Sequence, residues 1–198
     1  MPETVFLLSP AHCGGKRAQL LLNQRAAFPL AVRLRREGAP LGEVFRFLSG
    51  LYFRGKLAYA EAFGADVLVI TPGQGLVPAS RSMSLADLLA IAEVGVTPGE
   101  ARFREPLERD AARLRRRLGR RGVAVLLGSI ASDKYVGILG RHLGARLRFP
   151  SAFVGRGDMS RGGLMLRCVR ERRELSYEPI AGAVRHGRRP PKLTRERA

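Results

Sequence analysis

The chain has 198 residues, of which 45% are hydrophobic and 26% are charged. This length and composition predict one globular domain with an ordinary core, and they exclude a chain that is disordered throughout. Lys and Arg number 35 against 17 Asp and Glu, so the formal net charge at pH 7 is +18. A GC-rich genome would favour Arg over Lys, but it does not account for a twofold excess of bases. We therefore expect a polyanionic partner, DNA or RNA.

Several other classes are disfavoured by the composition. No apolar run reaches the roughly 18 residues of a membrane span. The first ten residues, MPETVFLLSP, lack the basic region and the apolar length of a signal peptide. We therefore predict a soluble, cytoplasmic protein without a membrane partner. The two cysteines and three histidines show no metal-ligand spacing, so neither a metal nor another cofactor is predicted.

The hydrophobic pattern of the first half alternates between strand and helix. Residues 4–9 (TVFLLS) and 66–71 (DVLVIT) predict buried strands, and the second runs into a turn-rich loop, PGQGLVP. Apolar residues near the 3.6-residue period predict a long amphipathic helix over 41–63, with a break near Gly50 or Gly55. Ser84 is placed to cap a short helix.

The second half continues the alternation. A strongly basic helix is predicted over 104–120, a strand over 123–127 and a helix that begins at Ser132 or Asp133 and ends at Gly144. A weaker strand over 145–149, a helix over 162–172 with Ser160 as its cap, and an edge strand in LSYEPI complete the pattern.

This alternation predicts an α/β fold, namely a three-layer α/β/α sandwich around a mostly parallel sheet of about four to five strands. Residues 1–182 form the predicted single domain. Residues 183–198 are predicted to be a basic, disordered tail, because the last 14 residues, RHGRRPPKLTRERA, hold six Lys or Arg, one Glu and no apolar period.

Four loops of the predicted sheet follow strands, where parallel sheets bind ligands. SPAHCGGK, TPGQG, GSIASDK and PSAFVGRGDMSRGG each combine Gly with a hydroxyl or basic side chain. Such loops allow close backbone approach and precede helix N-termini that can bind an anion, although they also serve simply as turns. The predicted ligand- or phosphate-binding residues are Ser9, Gly14, Gly15, Lys16, Thr71, Gln74, Ser129, Arg156, Ser160 and Arg161.

Only two residues are candidates for catalysis. Cys13 lies beside Lys16 at a predicted helix start, where a thiol pKa can fall, and its alternative role is that of a small, half-buried residue. Asp158 could accept a proton or orient an Arg, and it could equally cap a helix. The first loop is not a P-loop, because the upstream Gly and the Ser or Thr after Lys16 are missing.

The basic helix and the tail suggest contacts that position a phosphate backbone without reading sequence. The aromatic and basic residues between Tyr52 and Tyr59 could stack on bases, but at helical spacing core packing is the better interpretation for most of the aromatics. A solvated helix face is the alternative for the arginines. The predicted backbone-positioning residues are Arg113, Arg116, Arg117, Arg120, Arg188 and Arg189.

The order of four segments carries a family resemblance. SPAHCGGKRA, YFRGKLAYAEAFGADVLVITPGQGLVP, VAVLLGSIASDKYVGILGRHLG and FPSAFVGRGDMSRGGLMLR resemble uncharacterised bacterial and phage domains of the uracil-DNA glycosylase-like superfamily, which is related to a domain of archaeosine synthase. The resemblance covers about residues 4–172 and implies an α/β fold and an association with nucleic acid. Active glycosylases carry a water-activating Asp or Asn in a Gly-x-x-Pro-type loop and a late His-Pro-Ser motif. SPAHCGG and FPSAFVG match neither, so the resemblance implies no catalytic residue.

The sequence thus predicts a nucleic-acid-associated protein that recognises or processes a base or nucleotide in a cleft at the carboxyl edge of its sheet. Two other hypotheses remain open at this point. One is an enzyme that acts on a free nucleotide or phosphorylated small molecule at the same cleft. The other is a non-catalytic basic module that binds an acidic partner.

Overall fold

The computed structural model describes residues 3–64 and 66–191. The strands in chain order are β1 (Thr4–Leu8), β2 (Ala39–Pro40), β3 (Asp66–Thr71), β4 (Gly75–Pro78), β5 (Ser82–Met83), β6 (Val123–Leu127), β7 (Leu147–Pro150) and β8 (Tyr177–Pro179). The helices are α1 (Lys16–Leu22), α2 (Pro29–Arg36), α3 (Leu41–Ser49), α4 (Leu51–Phe63), α5 (Leu85–Ala92), α6 (Ala101–Leu118), α7 (Asp133–Leu143) and α8 (Asp158–Glu171).

The central sheet has six strands in the order β4-β3-β1-β6-β7-β8. The four inner strands are parallel, whereas β4 and β8 pair antiparallel at the two edges. β2 and β5 form a separate two-stranded ribbon. With helices packed on both faces, the protein is the predicted three-layer α/β/α sandwich with a mostly parallel sheet.

Alternating side chains of the strands build two hydrophobic cores. In β1, Phe6 and Leu8 point into a core shared with α1–α5 and α8, while Val5 and Leu7 point into a second core with α6 and α7. This alternation follows from the two-residue period of a strand. Because both faces of β1 are covered, its side chains from Val5 to Leu8 are fully buried, as its apolar sequence predicts.

Two predictions need correction, and a third, the break in the helix over 41–63, is confirmed. The loop PGQGLVP contains β4, so the sheet has six strands and not four to five. The helix predicted over 41–63 is two helices that meet at Gly50, whose φ of 60° suits glycine, so the expected break falls there. The helix predicted from 162 begins at Asp158. Gly162 lies inside it because close packing against α4, and not a helix end, requires glycine there.

The predicted tail lies partly outside the described residues, which end at 191. Residues 183–191 form neither helix nor strand. Arg185 donates from Nη1 to Asp133 Oδ1 at 2.6 Å, at the start of α7. The Arg188 carbonyl passes so close to Gly155 that a Cβ there would lie 2.3 Å from its oxygen. This part of the chain therefore crosses the loops that follow β6 and β7.

Candidate functional site

The site is built at the carboxyl edge of the sheet, where β1, β6 and β7 end. Ser9 follows β1 directly, and its amide donates to the Leu127 carbonyl at the end of β6 at 3.3 Å. The residue that follows β6 is Gly128, where a Cβ would lie only 3.0 Å from Ser9 Cβ. Ser9 is thus enclosed between two central strands and is 6% exposed.

Lys56 of α4 reaches under this edge and is buried. Its Nζ donates to the Ser9 carbonyl at 2.6 Å and to Ser9 Oγ at 2.9 Å. The ammonium also lies over the rings of Tyr52 and Phe53, 4.5 and 4.7 Å from their centroids. Two oxygens and two aromatic faces therefore surround a lysine that no carboxylate contacts within ion-pair distance among the described residues.

A pair of glycines brings α8 against this lysine. A Cβ at Gly55 would lie 2.6 Å from the Gly162 carbonyl oxygen, and a Cβ at Gly162 would lie 2.9 Å from the Leu51 carbonyl oxygen. The backbones of α4 and α8 therefore touch directly, which larger residues would prevent. This contact sets the first turn of α8 beside the Tyr52 and Lys56 side chains.

The first turn of α8 contributes Arg161 and Asp158. Arg161 is buried, and its Nε and Nη2 donate to the Phe153 carbonyl at 3.3 and 3.2 Å. Its Nη1 lies 3.4 Å from Asp158 Oδ1, and the Asp158 side chain is 64% exposed. The carboxylate thus stands at the solvent side of the guanidinium.

Tyr52 completes the arrangement with an unpaired hydroxyl. The oxygen is buried and has no hydrogen-bond partner among the described residues. Burial raises the pKa of Tyr52 to about 12, although the nearby Arg161 guanidinium acts in the opposite direction. Tyr135 of α7 stands close enough for Asp158 to contribute to its raised pKa, behind burial as the main cause. We call Ser9, Tyr52, Lys56, Tyr135, Asp158 and Arg161 the Lys56 cluster.

The electrostatics of the Lys56 cluster are unbalanced. In the described chain the buried polar and charged residues are Ser9, Lys56, Thr71 and Arg161, so both buried charges are cations in this cluster. Burial lowers the pKa of Lys56 to about 7, and the Asp158 carboxylate only partly opposes this effect. The cluster therefore holds positive charge that its single, exposed carboxylate compensates incompletely.

Of the predicted ligand-binding residues, Ser9, Arg161 and the catalytic candidate Asp158 belong to the cluster. Arg156 and Ser160 form a neighbouring pair, in which Arg156 Nη1 donates to Ser160 Oγ at 3.2 Å. Ser129 accepts only from the Ala131 amide at 3.4 Å, which shapes its own turn.

Two further predicted residues, on β3 and the loop after it, do not join the cluster. Thr71 is buried and donates to the Val69 carbonyl within its own strand. Gln74 lines a groove of about 420 Å³ between β4 and α6, together with Arg109 and Arg113. The polar groups predicted on this side of the sheet therefore serve the strand itself or a different surface.

The loop with Cys13 serves a different surface. His12, Cys13 and Gly14 line a hollow of about 450 Å³ with Val94 and Lys134. Burial raises the pKa of the Cys13 thiol to about 12, which is opposite in direction to the change that a nucleophile needs. Gly15 precedes the seven-residue α1, and Lys16 is exposed at its first position.

The predicted backbone-positioning arginines are divided between the two ends of the sheet. Arg117 pairs with Glu3 at 3.0 Å and Asp66 at 2.7 Å, which lie where β1 and β3 begin. Arg116 and Arg120 are exposed near it, so the end of α6 lies at the amino edge. The two edges are roughly 16 Å apart for five-residue strands.

The remaining predicted arginines lie elsewhere. Arg113 lies about one turn before Arg117 in α6 and pairs with Asp110 at 3.4 Å. Arg188 and Arg189 are exposed at the carboxyl edge, because the chain at 187–188 packs on Val154 and Gly155.

From the sequence alone, Tyr52 and Lys56 belong only to a stretch that could stack on bases, core packing is the better interpretation for most of its aromatics, and Tyr135 is not proposed. A signal for Lys56 was present. It lies four residues after Tyr52 and three before Tyr59, on the apolar stripe of α4, where a lysine is out of place. No comparable signal marks Tyr135, because only the tertiary structure brings the start of α7 near Asp158 at the carboxyl edge of the sheet.

The fold and this site define a basic α/β/α protein with a buried cationic cluster at the carboxyl edge of its sheet. No protein-family model, no curated protein and no solved structure matches the chain. Within residues 3–64 and 66–191, no group of three or more His, Cys, Asp or Glu stands together to hold a metal ion. No helix in this part of the chain is long and apolar enough to cross a membrane.

Proposed function

We propose that this protein is associated with nucleic acid and admits a base or nucleotide at the carboxyl edge of its sheet, beside the Lys56 cluster. The observation that carries the proposal is the pairing of two features at one edge. The Lys56 cluster buries two cations there, and the exposed bases Lys134, Arg188 and Arg189 lie at the same edge of the sheet. Buried cations suit one placed anionic group, whereas exposed bases suit a phosphate backbone.

The overall charge supports a polyanion over a small neutral ligand. Bases exceed acids by 18 in the whole chain. Arg116, Arg120 and Arg121 at the amino edge have no carboxylate partner among the described residues, so the excess is not consumed by internal ion pairs. A field of this sign attracts nucleic acid at long range and weakens with salt. A cytoplasmic location belongs to the same proposal and agrees with the two free, buried cysteines.

The resemblance to the uracil-DNA glycosylase-like superfamily is part of this proposal. It fits an α/β fold with a site at the carboxyl edge, and it supplies the expectation that the bound group is a base or nucleotide. Glycosylase activity is not proposed, because the water-activating Asp or Asn and the His-Pro-Ser motif have no counterpart in this chain.

The experiment compares two triple variants that remove the same charge from opposite edges. The first replaces Lys134, Arg188 and Arg189 with Ala at the carboxyl edge. The second replaces Arg116, Arg120 and Arg121 with Ala at the amino edge. The binding of labelled single-stranded and duplex DNA and RNA is measured by fluorescence anisotropy from ~50 to ~200 mM salt.

If the proposal is correct, the carboxyl-edge variant should reduce the slope of log affinity against log salt by roughly 2.7 for duplex DNA, because three phosphate contacts are lost. The amino-edge variant should leave the slope nearly unchanged. Equal losses in both would mean unspecific attraction. A loss only in the amino-edge variant, or no binding of DNA or RNA at low salt, would refute the proposal.

A second candidate function is an enzyme acting on a free nucleotide or phosphorylated small molecule. The enclosed position of Lys56 favours it, because a cation that is 1% exposed can reach a small group but not a long backbone. Under this alternative, a mononucleotide should bind equally well to the wild type and to the carboxyl-edge triple variant. Oligonucleotides would then bind weakly, and they would bind the wild type and the carboxyl-edge triple variant equally.

A further inference from the structure

The Lys56 cluster contains more hydrogen-bond donors than acceptors. Of the three ammonium hydrogens of Lys56, two are taken by the carbonyl and hydroxyl oxygens of Ser9. Tyr52 is 8% exposed, and its hydroxyl makes no hydrogen bond of good geometry in the described chain. Arg161 stands near enough to donate to the oxygen, so it is the hydroxyl hydrogen that lacks an acceptor. A buried donor without an acceptor costs free energy, so the cluster is set up for an acceptor from outside.

The charges favour the same kind of ligand. Lys56 and Arg161 are 1% and 7% exposed, and each would be stabilised by a nearby anion. The carboxylate now available is Asp158, which approaches Arg161 only to 3.4 Å and is largely in water. It forms an ion pair with only one of the two cations and acts on Lys56 only at longer range. An anion that entered beside Tyr52, whose ring contacts Lys56 and which lies next to Arg161, would supply negative charge to both cations.

We propose that the Lys56 cluster binds the phosphate of a phosphomonoester, with Lys56, Tyr52 and Arg161 as donors and Asp158 as the group displaced from Arg161. The inference rests on the proposed function and names the chemical group that its site recognises. Such a phosphate could belong to a mononucleotide or to the 5′ end of a nucleic-acid strand.

Phosphate fits this donor set better than a carboxylate does. The donors come from two helices, α4 and α8, and so approach from different directions, which suits a tetrahedral group better than a planar one. A phosphomonoester carries close to two negative charges at neutral pH, which matches the two buried cations. The amino end of the 14-residue α8 adds a partial positive charge on the same side.

Asp158 makes the anion affinity of the site depend on one neighbouring carboxylate. Because its carboxylate competes with the incoming anion for Arg161, its removal should strengthen anion binding. Removal of a donor should weaken it. Unspecific attraction would give the same gain for the loss of any exposed carboxylate, so a gain confined to Asp158 is the signature of this competition.

The protonation of Lys56 gives a second signature. The side chains that contact Lys56 are Ser9, Tyr52 and Phe53, and the Asp158 carboxylate acts on it at longer range. Arg161 and Tyr135 lie near Tyr52. The two tyrosines have a pKa of about 12 and stay neutral at physiological pH. The pKa of Lys56 is about 7, so its charge is present below that pH and lost above it. Binding of an anion whose own charge is constant should therefore weaken as pH rises through 7.

The experiment uses the full chain and titrates sulfate by calorimetry between pH 6 and pH 8, since sulfate does not change charge there. Lys56→Met should lower sulfate affinity at least tenfold at pH 6 and abolish the pH dependence. Tyr52→Phe, which removes only the hydroxyl and so should fold, should lower it about fivefold. Asp158→Asn should raise it several-fold. Arg121→Met, which removes an exposed base at the opposite, amino edge of the sheet, is the matched control and should change little.

Two further arms separate the sources of the phosphate. A nucleoside 5′-monophosphate and a 5′-phosphorylated oligonucleotide are each compared with their unphosphorylated forms. Dependence of either on Lys56 and Tyr52 supports the inference, and the tighter of the two identifies the source. If Lys56→Met and Tyr52→Phe both bind sulfate and these ligands as the wild type does, the inference is overturned.

The two proposals fail separately. If oligonucleotides bind with the expected salt slope but no variant of the Lys56 cluster affects anion binding, the function proposed above stands and the phosphate site falls. If sulfate and the mononucleotide bind through Lys56 and Tyr52 while DNA and RNA do not bind, the phosphate site stands and the nucleic-acid proposal falls.

Discussion

Replacement of the buried Lys56 by Met should change how the stability of the protein depends on pH. In the folded protein burial lowers the pKa of Lys56 from 10.5 to about 7. Below pH 7 Lys56 carries its proton in both the folded and the unfolded chain, so it does not make the unfolding free energy depend on pH. Between pH 7 and 10.5 the unfolded chain holds a proton that the folded chain has lost. The free energy of unfolding should therefore rise with pH in this window.

The size of the effect follows from the two pKa values. The limiting slope for one proton is about 1.4 kcal/mol per pH unit. Because Lys56 is half-titrated at pH 7, integration from pH 7 to pH 9 gives roughly 2 kcal/mol. This contribution is missing in Lys56→Met. The difference in unfolding free energy, wild type minus variant, should be flat below pH 6 and grow by roughly 2 kcal/mol between pH 7 and pH 9.

Urea denaturation followed by far-ultraviolet circular dichroism measures this difference, and that probe suits a chain without Trp. Lys134→Met is the matched control, because it removes an exposed lysine, and its curve should stay parallel to that of the wild type. Titrations elsewhere in the protein cancel in the comparison. Parallel curves for Lys56→Met and the wild type from pH 6 to pH 9 would refute the reasoning, since Lys56 would then keep its proton in the folded protein.

Three other substitutions or reagents probe features on which the site depends. Gly55→Ala should lower the unfolding free energy by about 2 kcal/mol or more, because the new Cβ would lie 2.6 Å from a carbonyl oxygen of α8. Gly140 on α7 faces open space, so Gly140→Ala should instead raise the unfolding free energy by up to about 1 kcal/mol. If a denaturation assay gave the same change for both variants, the close contact of Gly55 with α8 would be contradicted. Iodoacetamide should alkylate Cys13 far more slowly in the native than in the denatured protein, because burial raises the pKa of its thiol to about 12. Mass spectrometry measures the extent of alkylation, and rapid alkylation of the native protein would support a nucleophilic role. Ser84→Ala should cost about 1 kcal/mol at neutral pH through loss of the capping box of α5, and a loss of zero would show that the cap contributes nothing.

The sequence alone determined the features that depend on neighbouring residues. Buried strands are recognisable as continuous apolar runs, and Ser84 is recognisable as a helix cap, because both depend on a few adjacent positions. The break at Gly50 follows from the same kind of signal. The alternation of these elements was sufficient for the three-layer sandwich, since parallel strands require helical crossovers.

The errors at β4 and α8 have a different origin. A turn-rich segment such as PGQGLVP forms a strand once a neighbouring strand, β3, offers it a hydrogen-bonding edge. Gly162 indicates a helix boundary by its propensity, yet it lies inside α8 because Leu51 and Tyr52 of α4 pack on it. Both outcomes depend on residues far away in the chain, so local pattern could not reveal them.

The composition of the site was decided by tertiary structure in the same way. The sequence placed Ser9, Asp158 and Arg161 at strand ends, and α/β topology brought them to one edge. Lys56 stood out only as a base on an apolar stripe, and its role as the centre of the cluster required the glycine contact between α4 and α8.

Charge shows the same division between sequence and tertiary structure. The excess of 18 was evident from composition, but only the fold separated Arg116 and Arg120 at one edge of the sheet from Arg188 and Arg189 at the other. Composition sums charges over the whole chain, whereas binding depends on where they lie in space.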